Sequence, residues 1–235
     1  MIRTVIVIIW TVLTTVVLSI ATIVTSYFSK TGNIPHLIAG IWGKSILWAS
    51  QVKVTVRGLS NIDSTKSYIF MVNHQSLYDI PVLLGHLPHQ FRWLAKAELF
   101  RIPLFGQAMR RVGYISIDRS NREAAFKSLQ TASHKIKDGV SVLIFPEGTR
   151  SPDGRIKSFK KGGFVLAVDS AAPIVAMVIH GTRAIMPKNK LQLKPGQVRL
   201  DIQKPIESSG YSRKTKDALL EKVRRTILDH YSEDM

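Results

Sequence analysis

A chain of 235 residues with a formal net charge of +17 and no cysteine has room for one sizeable α/β domain and an appendage. The missing thiols exclude disulfides, thiolate metal sites and a cysteine acyl-enzyme. The cationic excess favours anionic partners such as lipid headgroups, an acidic carrier protein or a phosphorylated substrate. Nucleic acid is not expected among them, because the sequence has no Cys/His finger, basic zipper or RNP-like aromatic strand.

Residues 4–26 are uncharged and dominated by Val, Ile and Leu. As a helix this stretch is roughly 34 Å long, enough to cross a hydrocarbon core. It is too long for the apolar part of a cleaved leader, and Ser26-Tyr27-Phe28 is no small-residue cleavage site. Ser29–Asn33 reads as a turn. A second helix over 34–50 gathers Ile34, Leu37, Ile38, Ile41, Trp42, Ser45 and Trp48 towards one face, with Gly40, Gly43 and Lys44 opposite. Trp42 and Trp48 suit a headgroup boundary. Residues 1–50 are thus expected to form a two-helix membrane anchor, followed by a body over 51–235. The anchor is either a spanning helix plus an interfacial one or a hairpin in a single leaflet. A second helix packed on the body is the plainer alternative.

From Gln51 the pattern alternates between strands and helices. Strands are expected at Val52–Arg57, Tyr68–Val72, Phe91–Lys96, Tyr114–Arg119, Val140–Phe145, Pro173–Ile179 and Val198–Ile202. Helices are expected at Asp79–Gly85, across Glu98–Val112 with a break at Pro103, from a capping box at Ser120–Glu123 to Gly139, from Gly163 to Ala171, and over Lys214–Tyr231. The fold class is α/β: a mixed, largely parallel sheet flanked by helices, preceded by the anchor.

Two segments concentrate the chemistry. Asn73-His74-Gln75-Ser76-Leu77-Tyr78-Asp79 places an imidazole and a carboxylate five positions apart where a strand breaks into a turn, the place where active-site groups of α/β proteins collect. If the turn brings Asp79 back to the ring, the carboxylate fixes the tautomer and leaves Nε2 of His74 free as a base. With seven histidines in the chain, such a spacing can arise by chance, so its weight comes from its neighbours. Phe145-Pro146-Glu147-Gly148-Thr149-Arg150-Ser151 ends a buried strand. There Gly148 lets backbone approach a ligand, Arg150 offers a planar fork to phosphate, and Glu147 either accepts from a ligand hydroxyl or orients an arginine. Gly113–Arg119 delivers Arg119 to a strand end, and Lys160 and Lys161 precede a helix start favourable to anions.

These segments, in this order and spacing, resemble the blocks of the glycerolipid acyltransferases, specifically the 1-acylglycerol-3-phosphate O-acyltransferases, over residues 52–210. The resemblance implies His74 as base and Asp79 as its orienter, with Arg119, Glu147, Gly148, Thr149 and Arg150 around the glycerol phosphate and Lys96 helping to hold it. Ala172–Val178 departs from the pattern, with Ala176 where the family has a second proline. The resemblance implies acyl transfer from acyl carrier protein or coenzyme A thioester to the sn-2 hydroxyl of lysophosphatidic acid in the membrane, on its cytoplasmic face. No metal and no cofactor beyond the thioester are expected. Transfer to glycerol 3-phosphate or another lysophospholipid is the neighbouring reading, and a catalytically silent lipid-binding module is the distant one.

Overall fold

The computed structural model describes residues 1–29, 31–118 and 120–232, with the backbone alone for Arg122. A seven-stranded sheet organises the body in the order β1-β7-β6-β2-β5-β3-β4, with β1 (Val52–Arg57), β2 (Ile69–Val72), β3 (Phe91–Lys96), β4 (Ile115–Ile117), β5 (Ser141–Ile144), β6 (Ile174–His180) and β7 (Gly196–Ile202). All neighbours run parallel except β6 and β7. Central strands β2, β5 and β6 are buried along their whole length, as their largely apolar sequences require. Their side chains alternate between two cores. Phe70 and Val72 face one with Leu83 and Trp93, whereas Ile69 and Met71 face the other with Phe164 and Val223.

Helices α3 (Asp79–His86), α4 (Phe105–Val112), α5 (Arg122–Lys137), α6 (Gly162–Ser170), α7 (Thr182–Ile185) and α8 (Lys216–His230) complete the body. Three local expectations change. The stretch before α4 is a 3-10 turn over Ala97–Arg101, and Pro103 separates it from the α-helix. The cap of α5 is Asn121, which accepts from the Ala124 amide at 3.0 Å, while Ser120 turns back to Asp118 at 2.6 Å. Short α7 was not expected, since four residues are too few to show a period.

Ahead of the body, α1 (Ile2–Ser26) and α2 (Asn33–Ala49) form a hairpin. α1 is long and apolar enough to cross a membrane. Both of its ends, however, are tied to the rest of the protein. Near the start, Arg3 donates to the Ser50 carbonyl and the Leu193 amide donates to Thr4 Oγ1 at 3.2 Å. At the far end Arg111 donates to Tyr27 Oη at 3.2 Å and lies 4.7 Å above its ring. In the middle Trp42 Nε1 donates to Thr15 Oγ1 at 2.9 Å. The turn is fixed by buried Arg92, which donates to the Thr31 carbonyl and Asn33 Oδ1 at 2.9 and 2.8 Å.

The second helix does pack on the body, through Gly43 together with Ile46 and Leu47 rather than through the Ile34, Leu37, Ile41 and Trp48 stripe. A Cβ at Gly43 would stand 2.7 Å from the Pro81 carbonyl oxygen and 3.0 Å from the Gly85 nitrogen. Ile34, Leu37, Ile41 and Trp48 consequently remain exposed, beside Ile9, Leu13 and Ile20 of α1. Alanine at Gly43 gains about 0.5–1 kcal/mol of helix propensity. It collides with backbone that cannot step aside, and overpacking costs about 1–3 kcal/mol. Gly43→Ala is therefore expected to lower the thermal midpoint by about 2–4 °C, read by calorimetry in detergent.

Candidate active site

The site begins where β2 ends. Asn73 continues the strand with its side chain: Nδ2 donates to the Ile179 carbonyl at 2.9 Å and Oδ1 accepts from the Ile179 amide at 2.8 Å. His74 then leaves the sheet. Asp79 opens α3 with a fully buried side chain, and its Oδ2 accepts from His74 Nδ1 at 2.7 Å, from the Gln75 amide at 2.7 Å and from the Ser76 amide at 2.9 Å. Ser76 Oγ in turn donates to the Met186 carbonyl at 2.7 Å. The loop is wound around the carboxylate, and the imidazole is one of its three donors.

The imidazole is also held from its face. Its ring stacks on Phe145 with centroids 3.8 Å apart and planes 13° apart, and Phe145 stacks on Trp93 at 5.3 Å and 26°. One ring nitrogen is spoken for by Asp79, so Nε2 is left for chemistry.

The loop after β5 clamps the backbone of His74 on both sides. The His74 amide donates to Glu147 Oε1 at 2.7 Å, and its carbonyl accepts from the Ser151 amide at 2.8 Å. Glu147 Oε2 accepts from the Lys157 amide at 2.9 Å. Buried Glu147 therefore spends both oxygens on backbone amides. Burial pushes its carboxyl above the usual range, while those two amides pull the other way. Gly148 takes φ 75°, a left-handed turn that reverses the loop so that Arg150 comes back towards His74.

A cavity of about 680 Å³ opens against this assembly. His74, Lys96, Gly148, Thr149 and Arg150 form its polar end, and Leu18, Trp42 and Met109 belong to its apolar wall. Lys96 is paired with Glu98 at 2.8 Å, an exposed contact readily exchanged for a phosphate. The sequence-derived residues His74, Asp79, Lys96, Glu147, Gly148, Thr149 and Arg150 are thus brought together, with Asp79 and Glu147 behind the wall. Arg119 lies outside the described residues. Lys160 and Lys161 do not line the cavity, and Lys161 pairs with Asp217 of α8 at 2.9 Å. Ala176 packs in the core on the other sheet face, remote from the cavity wall.

Sequence reading passed over the Trp93–Phe145–His74 stack and the Asn73 brace. An aromatic opening the Phe145–Ser151 segment was the available signal for the first. The second offered none, because its partner is on β6.

A family profile described as Acyltransferase matches residues 53–180. A 1-acyl-sn-glycerol-3-phosphate acyltransferase of Cocos nucifera is 33% identical over 84% of this chain and 64% of its own length. The chloroplastic enzyme of that name from Arabidopsis thaliana is 37% identical over 74% of this chain and 49% of its own, and the human alpha form is 31% identical over 77% and 65%. The chain thus spans between about half and two thirds of the length of these relatives. The crystal structure of the 1-acyl-sn-glycerophosphate acyltransferase PlsC from Thermotoga maritima matches with a TM-score of 0.82 at 29% identity, covering 98% of this chain and 96% of that one. An α/β sheet presenting a histidine–aspartate pair at a strand end, matched over more than half its length by that profile, places the chain in the acyltransferase family.

The raised carboxyl of Glu147 has a signed consequence. Because the folded protein holds that proton more tightly than the unfolded chain, its contribution to stability is complete below about pH 4.5 and declines as pH rises through the elevated value. Glu147→Gln removes this dependence. It also leaves one amide facing an NH₂ group, a loss of about 1–3 kcal/mol. Denaturant unfolding between pH 4 and 7 is expected to show a variant that is less stable and flatter with pH.

Proposed function

We propose that the protein transfers a fatty acyl group from a thioester to the sn-2 hydroxyl of 1-acylglycerol 3-phosphate, giving phosphatidic acid and a free thiol. The observation that carries this reading is His74, backed by Asp79, set in the wall of a mostly apolar cavity shared with α1 and α2. Its volume lies within the usual range of ligand pockets, about 300–1,000 Å³. The names of the relatives point the same way.

In this mechanism Nε2 of His74 takes the proton from the acceptor hydroxyl as that oxygen attacks the thioester carbonyl. The new C–O bond forms, the C–S bond breaks, and the departing thiolate recovers the proton from the imidazolium. Asp79 holds the tautomer and stabilises the cation in between. The acceptor itself is the nucleophile, in keeping with a chain that has no cysteine and no Gly-x-Ser-x-Gly elbow. Arg150 and Lys96 grip the phosphate, the backbone around Gly148 stands beside the reacting carbonyl, and Glu147 acts through the loop it latches. No metal and no further cofactor takes part. The donor is acyl carrier protein or coenzyme A thioester, met on the cytoplasmic face.

The hairpin embeds in one leaflet in this reading. A helix crossing the bilayer carries its two ends to opposite faces, whereas both ends of α1 contact the body. The outward apolar residues of both helices then rest among acyl chains, and the cavity takes up the lysolipid by lateral diffusion.

Purified protein given acyl thioester and a panel of acceptors, followed by mass spectrometry, is expected to acylate lysophosphatidic acid in preference to glycerol 3-phosphate and other lysophospholipids. His74→Ala should fold and lose about 10²–10⁴ in kcat, and Arg150→Ala should mainly raise KM for the lysolipid. Near-normal turnover by the His74 variant would end this mechanism. Leu37→Asp combined with Ile41→Asp, on the outward face of α2, is expected to weaken co-sedimentation with lipid vesicles while leaving the thermal midpoint in place.

A further inference from the structure

A second cavity, of about 470 Å³, adjoins the first and has the opposite chemistry. Arg183, Lys188, Lys190 and Lys194 stand around it with Gln75 and Tyr231, and among the described residues no carboxylate lines it. The two cavities share a partition made by the two chemistry-bearing loops. His74 and Gln75 are consecutive, yet the first lines the apolar cavity and the second the basic one. Arg150 and Pro152 divide in the same way. Lys188 crosses the partition, its Nζ donating to the Arg150 carbonyl at 2.9 Å.

The floor of this basin is built. Gln75 is buried; its Nε2 donates to the Gly154 carbonyl at 3.0 Å and to Tyr231 Oη. Tyr231 Oη donates to the same carbonyl at 2.9 Å, and its ring lies parallel to that of His180 with centroids 5.8 Å apart. One rim, the loop between α7 and β7, is pinned to the start of α1 through Leu193 and Thr4. Four cations gathered around one concave surface raise the local concentration of anions there.

This bears on the second substrate of the reaction proposed above. The apolar cavity suits the lipid, but a thioester donor carries a water-soluble, multiply charged head that the same cavity cannot solvate. We infer that the basic basin receives the phosphorylated head of the donor's pantetheine arm, common to coenzyme A and acyl carrier protein, so that the thioester reaches His74 across the Gln75–Lys188 partition. The inference rests on the acyl-transfer reading for the identity of its ligand.

The test uses the full chain in detergent micelles and the variant Lys190→Glu/Lys194→Glu, whose positions on the outer rim leave the His74 loop intact. Free coenzyme A, titrated calorimetrically and displaced by adenosine 3′,5′-bisphosphate, should bind at least tenfold more weakly to the variant and equally well to His74→Ala. In turnover, KM for acyl-coenzyme A should rise at least tenfold with kcat and the lysolipid KM unchanged. Acyl-pantetheine, which has no phosphate, should not distinguish variant from parent. A rise seen with acyl carrier protein alone assigns the basin to the carrier-bound form of the same group. Unchanged donor KM and unchanged coenzyme A binding overturn the inference. So does an unchanged donor KM with lost affinity for phosphatidylglycerol vesicles, which makes the rim a headgroup contact. Should the parent bind coenzyme A through these lysines yet acylate no acceptor, the acyl-transfer reading fails and the basin stands.

Discussion

Three donors converge on one oxygen of a fully buried carboxylate, and much of the site's geometry follows from that convergence. Burying the charge of Asp79 costs several kcal/mol. Hydrogen bonds to a charged acceptor are worth about 1.5–3 kcal/mol each, so the imidazole and the amides of Gln75 and Ser76 are together large enough to offset it. Remove the loop conformation and the charge is left stranded. Remove the charge and the loop has nothing to wind around. Because Asp79 is also the first residue of α3, its negative charge meets the positive end of that helix. The loop after β5 then seizes the backbone of the same histidine from the other side, so that two strands far apart in sequence fix one ring.

Around this ring the protein separates solvents. On one side is a cavity walled by the helical hairpin and apolar residues of α4; on the other is a basin ringed by lysine and arginine. In the proposed chemistry this division lets a lipid and a charged thioester approach one base from unlike environments. Four of the 33 lysines and arginines, diffuse when read along the sequence, thereby acquire a location.

The strand–helix alternation was legible because buried strands are written as nearly continuous apolar runs: Ile69–Val72 is wholly apolar, and Ser141–Ile144 and Ile174–His180 depart only at one terminal residue. The His74–Asp79 contact was legible because both partners sit within one turn. What escaped are contacts between remote segments. Tyr231 reaches Gln75 from the last helix, and Asn73 reaches Ile179 across the sheet. Neither leaves a periodic trace. Glu147 was legible as an acid in a loop, but only coordinates tell a carboxylate that points outward from one that holds two amides. The anchor illustrates the same boundary: its apolar length was plain, yet the tethering of both ends of α1 runs through polar contacts of Arg3, Thr4 and Tyr27 with remote residues.

The glycine seam between α2 and α3 joins the greasiest surface of the molecule to the helix that begins with Asp79. At Gly43 backbone meets backbone, flanked by the packed side chains of Ile46, Leu47 and Leu84, so little room is left to absorb a shift. A shift of the hairpin is therefore passed to the helix that opens with Asp79, and through Arg92 to β3 as well. If the hairpin is lipid-embedded as proposed, the condition of that seam is a closer guide to an intact site than retained secondary structure is.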